Sequence, residues 1–352
     1  MLETRKLLAR TRGIKVSTGS TVSHRLPSMK GQRVFITGGL GFVGSNLAHK
    51  CLELGAEVTI YDCLDPRSGG NMHNVYGIRD DVRVILNDIR NFEGVCSAIL
   101  NQDILFNCAA YTSHPNSMRE PLVDIDVNCK GVINVLEAAR RFNSEVKIVH
   151  IGTSTQIGRM QFSPVTESHP EFPVDIYSAN KSASEKHVLI YGSAYEMRTT
   201  VIRLGNVFGP RSNIKSSDFG FINYFIGRAL QGKELMVYGD GRQLRNISYV
   251  EDSVAALVLA AIDDKSNEQV FFAVADRQYN VAEIAQTLVE NIGGTARFVD
   301  WPADRKAIEI GDAVISNQKI KTILNWAPLF DLQSGLVKTK DYFHSCLKHY
   351  IN

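Results

Sequence analysis

Tyr177 and Lys181 stand four residues apart in the stretch Tyr177-Ser178-Ala179-Asn180-Lys181. On a helix that spacing puts both side chains on one face, about one turn apart. An ammonium beside a phenol favours the phenolate, so the spacing predicts a tyrosine acidic enough to serve as a general base near neutral pH. Such a pair is common on plain surface helices. Its chemical reading rests on what stands upstream.

Upstream, the apolar run Val34-Phe35-Ile36 leads into three glycines, Gly38, Gly41 and Gly44, spaced G-x-x-G-x-x-G, after which a helical pattern begins. That order predicts a buried strand, a tight turn and a helix whose first N–H groups face a pyrophosphate. Gly38, Gly41, Phe42 and Val43 are the candidate contacts. A second apolar strand ends at Asp62, roughly twenty residues past the glycines, where a carboxylate suits both ribose hydroxyls of an adenosine and repels a 2′-phosphate. NAD is therefore expected rather than NADP. The alternative for Asp62 is a turn former opening Asp62-Cys63-Leu64-Asp65-Pro66.

The elements that must position these residues follow from the pattern. Strands are expected at 33–37, 57–61, 82–86, 104–108, 147–152 and 199–204, and helices at 44–54, 92–100, 122–142 and 177–195. Alternation of buried strands with helices predicts an α/β fold with a doubly wound parallel sheet, a Rossmann arrangement. Past Gly205 the pieces are shorter and richer in Gly, Asn and Asp. The expected division is a dinucleotide-binding domain over 30–205 with a returning segment near 246–275, and a smaller C-terminal α/β substrate domain over 206–245 and 276–352.

The 352 residues carry a net charge of +2 without a dense basic stripe, which argues against a nucleic-acid partner. No apolar run reaches the ~18–20 residues of a membrane span. The six cysteines, at 51, 63, 96, 108, 129 and 346, form no C-x-x-C and no zinc spacing, so no metal site is expected and the thiols suit a reducing, cytosolic compartment. Residues 1–29 hold Lys, Arg, Ser and Thr with a single acid, Glu3. That composition suits either an organellar targeting segment or an unstructured tail ahead of a start at Met29.

These motifs together resemble the extended short-chain dehydrogenase/reductases of the nucleotide-sugar epimerase/dehydratase group, over residues 31–345. The resemblance is carried by the glycine turn, Asp62, Asn87-Asp88-Ile89-Arg90, Asn107-Cys108-Ala109-Ala110, Thr153, Tyr177 with Lys181, Arg203 to Arg211, and Val237 to Arg245. It implies a nucleotide-diphosphate sugar as substrate, tightly held NAD and a homodimer. By the same resemblance Asp88 and Ile89 sit at the adenine, Ala109, Ala110 and Asn128 lie along the cofactor, and Lys181 also holds the nicotinamide ribose. Thr153 would orient the sugar hydroxyl that Tyr177 deprotonates. Thr112 and Asn206 would contact the substrate, and Arg245 and Arg305 its diphosphate, as guanidinium geometry favours.

The subclass turns on the residues after Thr153. Dehydratases of the group carry a Glu two positions later, often after an Asp; here those positions are Thr155 and Ser154. A hydroxyl is a poor base near pH 7, so the resemblance points to 4-epimerisation through a transient 4-keto sugar. A 4,6-dehydratase using Glu120 or Glu167, a 4-ketoreductase and a dinucleotide-sensing protein are the alternatives. Departures from the pattern include Gln156-Ile157-Gly158 in place of V-Y-G, Asn246, and the segment with Tyr111 and His114. Ser316 is one candidate for a residue gating sugar size. The expected dimer pairs helices 122–142 and 177–195, which carry Val132, Val135, Leu136 and Ala139, and Val188, Leu189 and Tyr191. Such stripes also suit plain core.

Overall fold

The computed structural model describes residues 24–351. Twelve strands occur among them: β1 (Arg33–Thr37), β2 (Glu57–Asp62), β3 (Val82–Leu86), β4 (Ile104–Asn107), β5 (Lys147–Thr153), β6 (Thr199–Leu204), β7 (Asn206–Phe208), β8 (Glu234–Tyr238), β9 (Leu244–Tyr249), β10 (Gln269–Ala273), β11 (Gln278–Asn280) and β12 (Thr295–Val299). Seven form one parallel sheet in the order β10-β6-β5-β4-β1-β2-β3. The six expected strands are all in it, with ends that differ by at most one residue. The seventh, β10, comes from the returning segment.

The sheet is covered on both faces because its strands are apolar on both. Val34 and Ile36 pack into the core that holds Leu47 of α1 (Phe42–Glu53). Phe35, between them, points the other way, among Val95 of α2 (Phe92–Ile99), Val135 and Val188. α3 (His114–Arg119) and α4 (Pro121–Ile125) precede α5 (Val132–Phe142), and α6 is Ile176–Tyr195. The single helix expected over 122–142 is interrupted by a π-helical run, Asp126–Gly131, between α4 and α5. Asn128 lies in that wider turn, whose extra residue changes where its side chain points.

Val132, Val135, Leu136, Ala139 and Val188 are core residues rather than an outward face. Phe142, Ile190 and Tyr195 are the large apolar residues that α5 and α6 leave exposed.

β9 runs parallel to β7 and antiparallel to β11 in a small sheet, and β8 pairs with β12. These strands, with α7 (Phe221–Leu230), α8 (Val250–Ile262) and α9 (Val281–Asn291), belong to the second half of the chain. α8 is buried nearly all round and packs beside α1 on the main sheet.

The expectation of a tail through residue 29 needs correction. Met29 is wholly buried, its N–H donates to the Leu54 carbonyl at 2.8 Å, and the His24 ring is 2.7 Å from the Asp252 carboxylate. A buried methionine and a hydrogen bond to a buried carboxylate hold this stretch to the body. The rest of the targeting expectation falls on residues 1–23, outside the described residues. No helix among the described residues is long and apolar enough to cross a membrane.

Candidate active site

A cavity of about 320 Å³ opens at the carboxyl ends of β1 to β6. The sheet order reverses between β1 and β4, and a crevice at such a switch point is where open α/β sheets bind ligands. The volume is at the small end of the range for small-molecule sites.

The glycine turn forms one end. Gly38 has φ +67°, and a Cβ there would come within 2.7 Å of the Ala109 nitrogen. A Cβ on Gly44 would collide with the Gly38 carbonyl oxygen. Backbone therefore packs against backbone where a side chain cannot fit. Gly41 is the N-cap of α1, and no side chain caps that helix. Its first N–H groups, at Phe42 and Val43 on the cavity wall, are left for a ligand.

Asp62 takes the turn-forming role read from the sequence. Its carboxylate accepts from the N–H of Leu64 at 2.8 Å, closing the turn, and from that of Leu40 at 3.0 Å. It also lines the cavity. Burial raises its pKa, and the two N–H donors oppose that. Asp88, Ile89, Ala109, Ala110 and Thr112 line the same cavity. Asp88 is paired with Arg90 at 2.6 Å. Asn128 does not line it. Its amide accepts from the Tyr111 N–H at 3.1 Å and donates to the Tyr111 carbonyl and to Asp124. It fixes the loop behind the wall.

Thr153, Tyr177 and Lys181 converge at the centre. Thr153 ends β5 and caps the 3₁₀ turn Ser154–Ile157. Gln156 closes the capping box by accepting from the Thr153 N–H at 3.5 Å. Its amide donates to Glu185 at 2.8 Å, and Glu185 is paired with Arg203, both almost wholly buried. Ile157 stands where the V-Y-G pattern has its aromatic, and Gln156, in the valine position, ties Thr153 to a buried ion pair.

Tyr177 and Lys181 share a face of α6, but the expected pairing is absent. The Tyr177 phenol stands near Thr153, whose hydroxyl favours its ionised form. The Lys181 ammonium turns instead to the Ile151 carbonyl at 2.5 Å and to His150 Nε2 at 3.3 Å. Burial and the Asp124 and Asp175 carboxylates push the phenol pKa up, and Thr153 only partly opposes them. Burial lowers Lys181 to about 8, against the pull of Glu185. The expected acidification of Tyr177 by Lys181 is therefore corrected: desolvation outweighs an ammonium directed elsewhere.

Asn206 lines the cavity. Arg245 and Arg305 do not. Arg245 is paired with Glu309 at 2.6 Å and donates to the Gly311 carbonyl. Arg305 meets Asp218 at 3.1 Å, and it is Asp218 that lines the cavity. Ser316 is away from the lining too; its N–H donates to the Val165 carbonyl at 2.8 Å. Glu167 accepts from the Phe272 N–H, and Glu120 from the Tyr111 hydroxyl, and neither lines the cavity.

The family model for the NAD dependent epimerase/dehydratase family matches residues 34–282. The chain belongs to that family. The solved UDP-glucose 4-epimerase of Thermus thermophilus, in complex with NAD, superposes with a TM-score of 0.80 at 29% identity, covering 90% of this chain and 100% of that one. The UDP-glucose 4-epimerase of Mycolicibacterium smegmatis is 27% identical, over 89% of this chain and 99% of its own. UDP-glucuronic acid decarboxylase 1 of Xenopus tropicalis is 29% identical, over 91% and 74%. The family thus fixes an NAD-dependent nucleotide-sugar enzyme, while its members differ in reaction.

In this epimerase/dehydratase family member the sequence reading missed two groups. Asn213, Phe219 and Asn223 reach the cavity from the loop after β7 and from α7, without any motif to mark them. Asp175 and Ser178 stand at the start of α6. The signal for these was present, since an Asp three residues before a Ser at a helix start is an N-cap pattern, and Asp175 does accept from the Ser178 N–H at 2.8 Å.

Proposed function

We propose that this protein is an NAD-dependent nucleotide-sugar 4-epimerase. The observation that carries the reading is the group beside Thr153. Thr155 presents a hydroxyl 3.0 Å from the Thr153 hydroxyl, where the dehydratase pattern calls for a carboxylate. Among the described residues lining the cavity there is no glutamate.

The glycine turn and Asp62 fit a dinucleotide, since the uncapped start of α1 offers N–H groups to phosphates and Asp62 offers a carboxylate at the cavity wall to a ribose. Gly38, Gly41, Phe42 and Val43 would hold the pyrophosphate, Asp62 the ribose, and Asp88 with Ile89 the adenine. Bound NAD supplies the hydride acceptor for the carbinol carbon. Thr153 orients the sugar 4-hydroxyl and Tyr177 takes its proton. Lys181 brings positive charge to the ribose side of the site. Once the 4-keto sugar has turned, the hydride returns from the bound cofactor to the opposite face of that carbon while Tyr177 returns the proton, giving the epimer with no further acid or base.

Arg245 and Arg305 would grip the diphosphate by exchanging Glu309 and Asp218 for phosphate oxygens. A homodimer through α5 and α6 is supported by Phe142, Ile190 and Tyr195, each about half exposed on those helices.

The test is incubation with NAD and a panel of nucleotide-linked hexoses, hexosamines and uronic acids, followed by proton NMR. A 4-epimer without net reduction of NAD supports the reading and identifies the sugar. A 4-keto-6-deoxy product or a pentose would replace it with dehydration or decarboxylation.

A further inference from the structure

His114 takes no part in the proposed reaction, yet its imidazole lines the cavity and meets the Tyr177 ring edge-on, centroids 4.8 Å apart and planes at 79°. Its Nδ1 lies 2.8 Å from Asp175 Oδ2. The Asp175 side chain is almost wholly buried, whereas that of His114 is about one-third exposed. The backbone holds the same frame. The Ser117 hydroxyl donates to the His114 carbonyl at 2.8 Å and accepts from the Tyr177 N–H at 3.0 Å. Imidazole, carboxylate and phenol ring are therefore fixed with respect to one another.

Asp175 decides which ring nitrogen carries the proton. Burial raises the pKa of its carboxyl, but the bonds from His114 and Ser178 outweigh burial and bring it below its ordinary value. An ionised carboxylate only accepts, so the hydrogen shared with His114 belongs to Nδ1. Nε2 is left on the other side of the ring, and no hydrogen bond joins it to any of the described residues. Asp175 stands behind the cavity wall and does not line it, so the ring nitrogen that faces the cavity is Nε2.

We propose that His114 Nε2 recognises a sugar hydroxyl beside the reacting carbon, at C3 or C6, and that it selects neutral hexoses over uronic acids. The inference rests on Tyr177 acting at the sugar 4-carbon. A neutral Nε2 accepts a hydrogen bond, and a hydroxyl supplies one without bringing charge. A carboxylate placed there would add to the negative charge of Asp175 behind the ring and of Asp124, which also acts on Tyr177. A sugar lacking the hydroxyl would shield Nε2 from water and leave it unpaired, which is the basis of discrimination by a polar site. Asp175 touches no substrate. It acts through His114 and is a positioning residue.

The test is calorimetric binding to the NAD-loaded protein carrying Tyr177→Phe, which blocks turnover and keeps the ring that His114 meets. The probes are glucose linked to UDP, dTDP, CDP or GDP, then the 3-deoxy, 6-deoxy and uronic acid counterparts on the nucleotide that binds. One of the two deoxy sugars, and the uronic acid, should bind about tenfold more weakly than the parent. Two substitutions separate recognition from structure. In His114→Asn the amide nitrogen takes the place of Nδ1 and keeps Asp175 paired, but nothing replaces Nε2, so parent and deoxy sugar should bind equally. His114→Gln places its amide where Nε2 stood and should keep most of the discrimination. Discrimination kept by Asn and lost by Gln would show that His114 serves only Asp175, and would overturn the proposal. So would a uronic acid bound as tightly as glucose, or no binding of any of the four parents. Deuterium entering C3 or C5 during turnover of the Tyr177 enzyme in heavy water would also overturn it, by making His114 a base. Discrimination intact with a product other than the 4-epimer would sink the proposed function alone. A 4-epimer formed with equal affinities throughout would sink this inference alone.

Discussion

Lys181 donates to the carbonyl oxygen of Ile151 at 2.5 Å, two residues before Thr153 on the same strand. The lysine thus ties α6 to β5 at the point where both deliver their side chains to the cavity. Replacing it with methionine breaks that tie and removes the charge proposed for the ribose side, where a hydrogen bond to a charged group is worth roughly 1.5–3 kcal/mol. Lys181→Met should weaken NAD binding by about ten- to a hundredfold on that scale, read by titration of the cofactor. Binding unchanged within twofold would mean the ammonium serves the fold and not the cofactor.

Tyr177→Phe should leave NAD binding within a few-fold and lower turnover by about 10²–10⁴-fold, the usual contribution of a positioned acid–base group. The pair of measurements separates an enzyme from a dinucleotide sensor. A sensor would keep its ligand response in the phenylalanine variant.

Gly44→Ala forces a methyl group against the Gly38 carbonyl oxygen. Relief requires the turn and the first turn of α1 to separate, with an overpacking cost of about 1–3 kcal/mol. Thermal unfolding should shift down, and the loss of NAD affinity should be larger than that of an Ala substitution at Gly77, where a Cβ meets nothing within 4 Å.

Lys147 gives the pH dependence. Its buried amine donates to Thr200 and Ser266 at 2.8 Å, and burial, helped by Arg198, lowers its pKa to about 7. The unfolded lysine titrates near 10.4. Between those values the unfolded chain binds a proton that the folded chain has shed, so this group makes stability rise with pH. Urea midpoints at about pH 7 and about pH 9 should show that rise in wild type and lose it in Lys147→Met. An equal rise in the variant would place its source elsewhere.

The sheet was legible because its strands are local and apolar on both faces, and Val34-Phe35-Ile36 reads as buried strand from three residues. The interrupted helix was not. Whether Asp126–Gly131 winds as α or π depends on Tyr111, a sequence-distant loop that Asn128 must reach. Likewise, nothing beside Met29 in the chain announces that its partner is Leu54.

For the site, the sequence alone determined the residue types at the strand ends and on α6: the glycines, Asp62, Thr153, Tyr177, Lys181 and Asn206, all of which line one cavity. Each follows a local element whose direction the apolar pattern sets. Only the tertiary structure decided where their polar atoms point. It turned Lys181 to Ile151, closed Arg245 on Glu309 and Arg305 on Asp218, and brought His114 to Asp175 across 61 residues of chain. Those choices are made by burial and by competition among distant hydrogen-bonding partners, which no spacing along the chain encodes.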